Sequence, residues 1–365
     1  LTFFHRFSLA ACLAFFAALA QAHAQDGAPP PWYRSIAINA FLSTGYTYNT
    51  NRPDTGRNQL RVFDGADNTF TVDVVELSIK RDAAAAGEAG FRVDLTAGAS
   101  IPRVTRSTGL NGGDVDVHQM YVRWMAPIGN GLRIDFGKFV TPFGYEVIEG
   151  YDGFNDNYTR SFLFGYAIPF THTGLRAAYA FSPSLSLTAL VVNGWDDAVD
   201  NNRSKSVGGS LVVSPLTGLT ATLTGMVGPE QPGNNSGNRT LVDACASYAA
   251  GGGLTFGVNA DYGRERLPAG GDVVWSGFAG YLRCAISDRF AIALRGERFE
   301  DGDGTRTGIA QTLSEFTLTP EYRPVPGIVL RADLRYDMSD QPVFQKAATF
   351  TDSQATVGLN ALVTF

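Results

Sequence analysis

From about residue 35 to the last residue, Phe365, apolar and polar side chains alternate one by one over runs of ten to fourteen residues. A period of two belongs to a strand with one dry face and one wet face, not to a helix. Four runs are especially clean: Phe91 to Ile101, Leu254 to Tyr262, Ile328 to Met338 and Ala355 to Phe365. Their apolar positions hold 23 residues and no charge. The positions between them carry seven charges: Arg92, Asp94, Asp261, Arg331, Asp333, Arg335 and Asp337. No convincing amphipathic helix occurs in this part of the chain.

Alternation does not say which face points inward, and a soluble β-sandwich would also produce it. Three features argue against the sandwich. Strands of soluble domains average about 5–6 residues, roughly half the length of these runs. Small residues occupy both faces, which fills a sandwich core poorly. The connections also alternate in length. The pattern predicts sixteen strands at 35–48, 69–81, 89–101, 115–126, 131–141, 170–181, 184–195, 205–214, 218–228, 239–249, 253–263, 272–285, 289–299, 311–323, 327–338 and 354–365. Connections after even strands are mostly tight turns such as Pro127 to Gly131, Ser214 to Gly218 and Pro324 to Gly327, where Pro sets φ and Gly supplies positive φ. Those after odd strands, such as 49–68, 102–114, 142–169 and 300–310, are longer and polar. Short turns on one rim and long loops on the other describe a transmembrane antiparallel β-barrel with periplasmic turns and extracellular loops. Aromatic residues near strand ends, among them Tyr46, Tyr48, Tyr179, Phe181 and Tyr262, suit its two lipid–water boundaries. The expected irregularities lie in the second, twelfth and fourteenth strands, with a bulge at Val74-Val75.

The N-terminus predicts export. Arg6 precedes an apolar stretch, Phe7 to Ala20, followed by Ala22-His23-Ala24, so residues 1–24 read as a signal peptide, 25–33 as a short Pro-rich linker and 34–365 as the barrel. Charged residues make up 18% of the chain, against about 25% in ordinary globular proteins, and the net charge of −6 gives no basis for a nucleic-acid partner. After the signal, two cysteines remain, Cys245 and Cys284. They fall two strands apart, too far to bridge, and are expected as free thiols. No Cys or His cluster has metal spacing, and no cofactor is implied.

Four segments carry a resemblance: Gly137 to Gly144 (GKFVTPFG), Asn157 to Ser161 (NYTRS), Pro169 to Leu175 (PFTHTGL) and Val192 to Trp195 (VNGW). Together they resemble the OmpL-like outer-membrane β-barrel porins. The first is also similar to the Gly-Lys-Phe…Pro-x-Gly strand of phosphate-selective porins, here Gly137, Lys138, Phe139, Thr141, Pro142 and Gly144. The specific match covers about 130–195. The final strand, ending on Phe365, is similar to the insertion signal that barrel-assembly machinery reads. The resemblance implies a diffusion channel for small hydrophilic solutes in a Gram-negative outer membrane, with lipid and lipopolysaccharide around it. A barrel of this size is compatible with a homotrimer.

The longest connection, 142–169, holds Glu146, Glu149, Asp152 and Asp156 with Arg160 as its single base. Folded inward, it would narrow the pore and set carboxylates against Arg92, Arg123, Arg133 and Arg176 on neighbouring strands, a transverse field that orients dipolar solutes. Neutralising Glu146 and Glu149 should then reduce a weak cation preference. The mixed charges of Arg331 to Asp337, and of Arg295 with Glu297, are expected to form cross-strand pairs. The acidic stretch Glu300 to Gly304 loosely resembles a calcium loop but lacks its spacing. The alternatives are a phosphate- or organic-anion-specific porin, a non-conducting structural barrel, and an outer-membrane hydrolase. For the last, His118 and His172 are the two candidates, and neither has a nucleophile elbow nearby. A plugged transporter would need a folded domain ahead of the first strand.

Overall fold

The alternating runs become β1 Ala37–Asn49, β2 Thr69–Arg81, β3 Ala89–Ala97, β4 Asp116–Ala126, β5 Leu132–Val140, β6 Thr171–Ser182, β7 Leu185–Val192, β8 Ser206–Leu216, β9 Leu219–Pro229, β10 Asn238–Gly251, β11 Leu254–Arg266, β12 Asp272–Ala285, β13 Phe290–Asp301, β14 Gln311–Tyr322, β15 Ile328–Ser339 and, after a small hairpin of β16 Phe344–Lys346 and β17 Thr349–Thr351, β18 Ser353–Thr364. This is a computed structural model, and it describes residues 32–101 and 115–365. The proposed signal peptide, nearly all of the linker and residues 102–114 lie outside the described residues. Trp32–Ser35 form one 3₁₀ turn.

Every long strand pairs antiparallel with its sequence neighbour, and β1 pairs with β18, so sixteen strands close into a barrel. Closure leaves no sheet edge, which a lipid-exposed sheet requires. Burial along the strands is the inverse of a soluble protein. Phe136 is 62% exposed and Val122 60%, whereas Asp135, Asp243 and Asp333 are 0% exposed. The apolar band therefore faces outward and the charged face lines the interior, as the alternation predicts. Outward aromatic pairs mark both rims: Tyr46 with Phe70 at the long-loop rim, and Tyr179 with Phe181 and Phe290 with Tyr322 at the short-turn rim.

Details differ from the pattern. β3 ends at Ala97 because Gly98 takes φ +137°, a backbone that leaves the ladder. β7 stops at Val192, where Gly194 (φ +157°) and Asp196 (φ +64°) turn the chain. The irregularity in β2 falls at Asp73, between partners Ser43 and Thr44, one residue before the expected bulge. No register shift occurs in the ladders of β12 or between β14 and β15; near Pro320, which has no N–H to donate, the same register simply resumes at Glu321. The β11–β12 connection is only Leu267 to Gly271, an exception on the long-loop rim. Cys245 and Cys284 are free.

Candidate functional site

The segment between β5 and β6, residues 141–170, lies inside the barrel, and the family-like motif turns it there. At Gly137, φ is +141° and a Cβ would sit 2.2 Å from the Met120 carbonyl, so only glycine fits against β4. Lys138 donates to the Val117 carbonyl at 2.7 Å and lies 3.6 Å from Asp116. Phe139 is fully buried beneath the Arg176 guanidinium. Thr141 shares a hydrogen bond of 3.0 Å with His172 Nε2, whose Nδ1 meets the Gly194 carbonyl at 3.0 Å, so one histidine ties the start of the segment to the turn after β7, while the Thr141 amide donates to the Phe170 carbonyl at 3.0 Å and joins the segment's two ends. Pro142 follows, and Gly144, at φ +90° and packed against Ile168, completes the turn. His172 thus serves as a brace.

The segment then crosses to the far wall. Tyr145 donates its amide to Asn259 on β11, and Tyr151 donates its amide to Glu76 on β2 at 2.6 Å. From Asn155 to Arg160 it follows β15 rung by rung. Arg331 donates to the Asn155 and Asn157 carbonyls and to Glu149. Asp333 accepts from the amides of Tyr158 (3.1 Å) and Thr159 (2.7 Å), and Arg335 donates to the Arg160 carbonyl. On β13, Glu297 accepts from the Phe162 and Leu163 amides, and Arg295 donates to Glu146 and to the Thr159 carbonyl. These charges were expected to pair across strands, and on this wall they do so diagonally: Arg295 on β13 bonds Glu315 on β14 at 2.6 Å, and Arg335 on β15 lies 3.6 Å from the same Glu315. Directly opposed positions set like beside like: Glu297, Glu315 and Asp337 form one row, and Arg295, Thr317 and Arg335 the next. Opposed like charges repel. The Phe162 and Leu163 amides on Glu297, and Arg61 from the β1–β2 loop at 2.7 Å from Asp337, add further positive partners.

The expected eyelet is corrected in its partners. Glu146 pairs with Arg295 (2.8 Å), Glu149 with Arg331 (2.8 Å) and Arg160 (3.2 Å), and Asp156 with Arg283 (3.2 Å). Of the four wall arginines named from sequence, only Arg92 meets a loop acid, Asp152. Arg123 and Arg176 both bond Asp135 on β5, and Arg133 lies 3.7 Å from it. Glu146 and Glu149 are buried and neutralised, so they bind the loop in place and do not project a field into open water. Sequence reasoning missed the loop-binding role of Arg295, Glu297, Arg331, Asp333, Arg335 and Arg61. The one available signal was the Arg-x-Asp-x-Arg-x-Asp spacing of β15, which puts four charges on one face.

Above this layer the mouth is apolar. Phe63 from the β1–β2 loop stacks on Phe164, and Phe344 from the hairpin is fully buried in the same cluster with Phe162, Leu163, Trp195 and Trp275. The turn after β7 is held by two buried acids. Asp196 accepts from the Phe170 and Thr171 amides, and Glu230 from the Trp195 amide. Burial pushes Asp196 up to about 6 and Glu230 up to about 7. Below the loop, β4 to β6 present the Asp135-centred arginines, and the inner positions of β7 to β9, such as Ser186, Thr188, Ser210 and Thr222, carry no charge. Among the described residues no group of three or more metal-type ligands converges. His118 is buried beside a cavity of about 190 Å³ that Glu76, Arg92 and Gln119 also line.

A closed sixteen-stranded barrel, apolar outside, charged within and narrowed by an inward loop, is the architecture of an outer-membrane porin. The sequence matches the family model described as "Putative beta-barrel porin-2, OmpL-like" over residues 35–365, and the chain belongs to that family. It is a porin of the bacterial outer membrane. Solved structures share the fold. The anion-selective porin from Comamonas acidovorans aligns with a TM-score of 0.63 at 12% identity, covering 91% of this chain and 99% of that one. The channel DcaP of Acinetobacter baumannii gives 0.62 at 11%, covering 90% and 97%, and OprB of Pseudomonas putida 0.60 at 14%, covering 91% and 94%. No curated protein sequence matches.

Proposed function

We propose that small hydrophilic solutes diffuse passively through this barrel along the wall that the inward loop leaves free, and that this wall favours anions. The charge count around Asp135 carries the proposal. Arg123, Arg133 and Arg176 share that single carboxylate, while each of the four loop acids named from sequence is bonded to an arginine. A surplus of fixed cations beside water concentrates anions and repels cations. The uncharged inner faces of β7 to β9 widen the hydrophilic path without adding a barrier. The gradient drives transport, so no cofactor and no catalytic group is needed. His172 is fully engaged as a brace, which removes it from hydrolytic chemistry. A homotrimer set in lipid and lipopolysaccharide, inserted by barrel-assembly machinery through its Phe365-ended strand, fits the outward apolar band. The test is single-channel current in a planar bilayer under a KCl gradient. Steps with a reversal potential on the chloride side are expected. A potassium-side reversal overturns the anion preference, and silence from correctly folded barrels overturns the diffusion channel.

A further inference from the structure

Resting on that diffusion proposal, we propose that the basic wall of β2 to β6 holds a subsite for a small divalent oxyanion. A cavity of about 240 Å³ is lined by Lys80, Arg92, Gln119, Tyr121, Arg123 and Arg176. It lies below the range of roughly 300–1,000 Å³ that holds drug-sized ligands, so its occupant is small. Two acids also border it: Asp152 is bonded to Arg92, and Asp82 stands alone against the remaining cations.

The guanidinium groups are held on one side only. Arg123 gives Nε (2.6 Å) and Nη2 (3.1 Å) to Asp135, and Arg176 gives Nε (3.1 Å) and Nη2 (2.7 Å) to the same carboxylate. Both stand over the Tyr121 ring, at 5.2 and 5.6 Å, and Arg176 also covers Phe139 at 4.4 Å. Among the described residues, Nη1 of each arginine donates to nothing, and Lys80 has no carboxylate within ion-pair distance, its ammonium resting 5.4 Å from the Tyr151 ring. Arg123, Arg176 and Lys80 at the cavity, with Arg133 behind them on Asp135, stand against the two carboxylates Asp135 and Asp82, which leaves two positive charges in excess. Fixed N–H donors reward oxygen acceptors, in particular forked ones, more than a spherical chloride. The geometry therefore selects an anion with two negative charges spread over oxygens.

The test adds potassium sulfate or potassium malonate to single channels carrying chloride current at constant ionic strength. Chloride current should fall along a saturating curve. Saturation by sulfate alone identifies a tetrahedral site, and saturation by malonate identifies a carboxylate site. Arg176→Gln and, at the rim, Lys80→Gln should each raise the half-saturation concentration about tenfold, a charge-assisted hydrogen bond's worth. Linear dependence on both anions, or unchanged half-saturation in both variants, overturns the subsite. If the folded barrel carries no current, the diffusion proposal fails on its own account. Equilibrium dialysis of labelled sulfate and malonate against the detergent-folded protein then decides: one-to-one uptake weakened in Arg176→Gln supports the subsite, and no uptake overturns it.

Discussion

Two inner walls of this barrel use the same residue for opposite ends. On β13 and β15, Arg295, Arg331 and Arg335 are almost entirely buried, and each is matched by carboxylates and by loop carbonyls. On β4 to β6, Arg123, Arg133 and Arg176 remain partly hydrated and divide one Asp135 among them. The first wall spends its charge on holding the loop. The second keeps an excess that faces the path of a solute. Arginine count therefore says little about selectivity until the carboxylates around each guanidinium are counted too.

The sharpest way to break this comparison is Arg295→Met. It leaves Glu146 buried without its cation and Glu315 with Arg335 alone, at 3.6 Å, and removing one partner of a buried pair costs about 3–5 kcal/mol. Urea unfolding followed by heat-modifiable gel mobility should show that loss, together with proteolytic cleavage in 141–170. Glu146→Gln should likewise lower stability with little change in reversal potential. Next, Val258→Arg tests the facing on which both walls depend, since a charge on the outward band near the midplane costs about 2–4 kcal/mol; normal assembly would show the face to be assigned wrongly.

A third prediction concerns the mouth. The Glu230 value of about 7 lies above the ordinary carboxylate value, so the folded loop binds its proton more tightly than the unfolded chain does. Stability should rise as pH falls from 8 through about 7 toward 4.5, by on the order of 2 kcal/mol. Asp197, also raised to about 6 by burial, adds in the same direction, and Arg239 opposes both. Hydrogen exchange at the Trp195 amide, corrected for intrinsic rate, should be slower at pH 5 than at pH 8, and Glu230→Gln should flatten the difference. The smallest expected effect is Asp135→Asn, about 1 kcal/mol because its arginines are partly solvated, with a reversal potential moved further toward chloride. A loss as large as that of Arg295→Met would erase the distinction between the walls.

Strand number, closure and facing were legible because each is written locally. Runs such as Leu254 to Tyr262 state their two faces residue by residue, and Pro-Gly turns state one rim. The ends of β3 and β7 were not legible, since Gly98 and Gly194 leave the ladder where the alternation could have continued. The hairpin β16–β17 was missed because its strands are too short to show a period. The loop's acids were expected to face arginines of the neighbouring strands, whereas the arginines they bond lie far away in sequence: Glu149 meets Arg331, and Glu146 meets Arg295. Arg123 and Arg295 each sit on the polar face of an alternating strand. What separates them is a loop that arrives from elsewhere in the chain, and no local pattern encodes that arrival.

The seam between β1 and β18 has a consequence for how such a molecule comes into being. Phe41 lies opposite Thr364, and Tyr46 opposite Leu359, so the first strand finds its second neighbour only when the last has arrived. Loop-closure entropy makes such distant pairing slow. Until then the cylinder has two raw margins, and segment 141–170 has no complete enclosure, because its partners on β2 and on β15 lie on opposite sides of the seam. The seam works as a clasp around the loop's case: a chain lacking its last thirteen residues, β18 and Phe365, would lose the ring as well as a strand, and with it the compartment in which the loop is stowed.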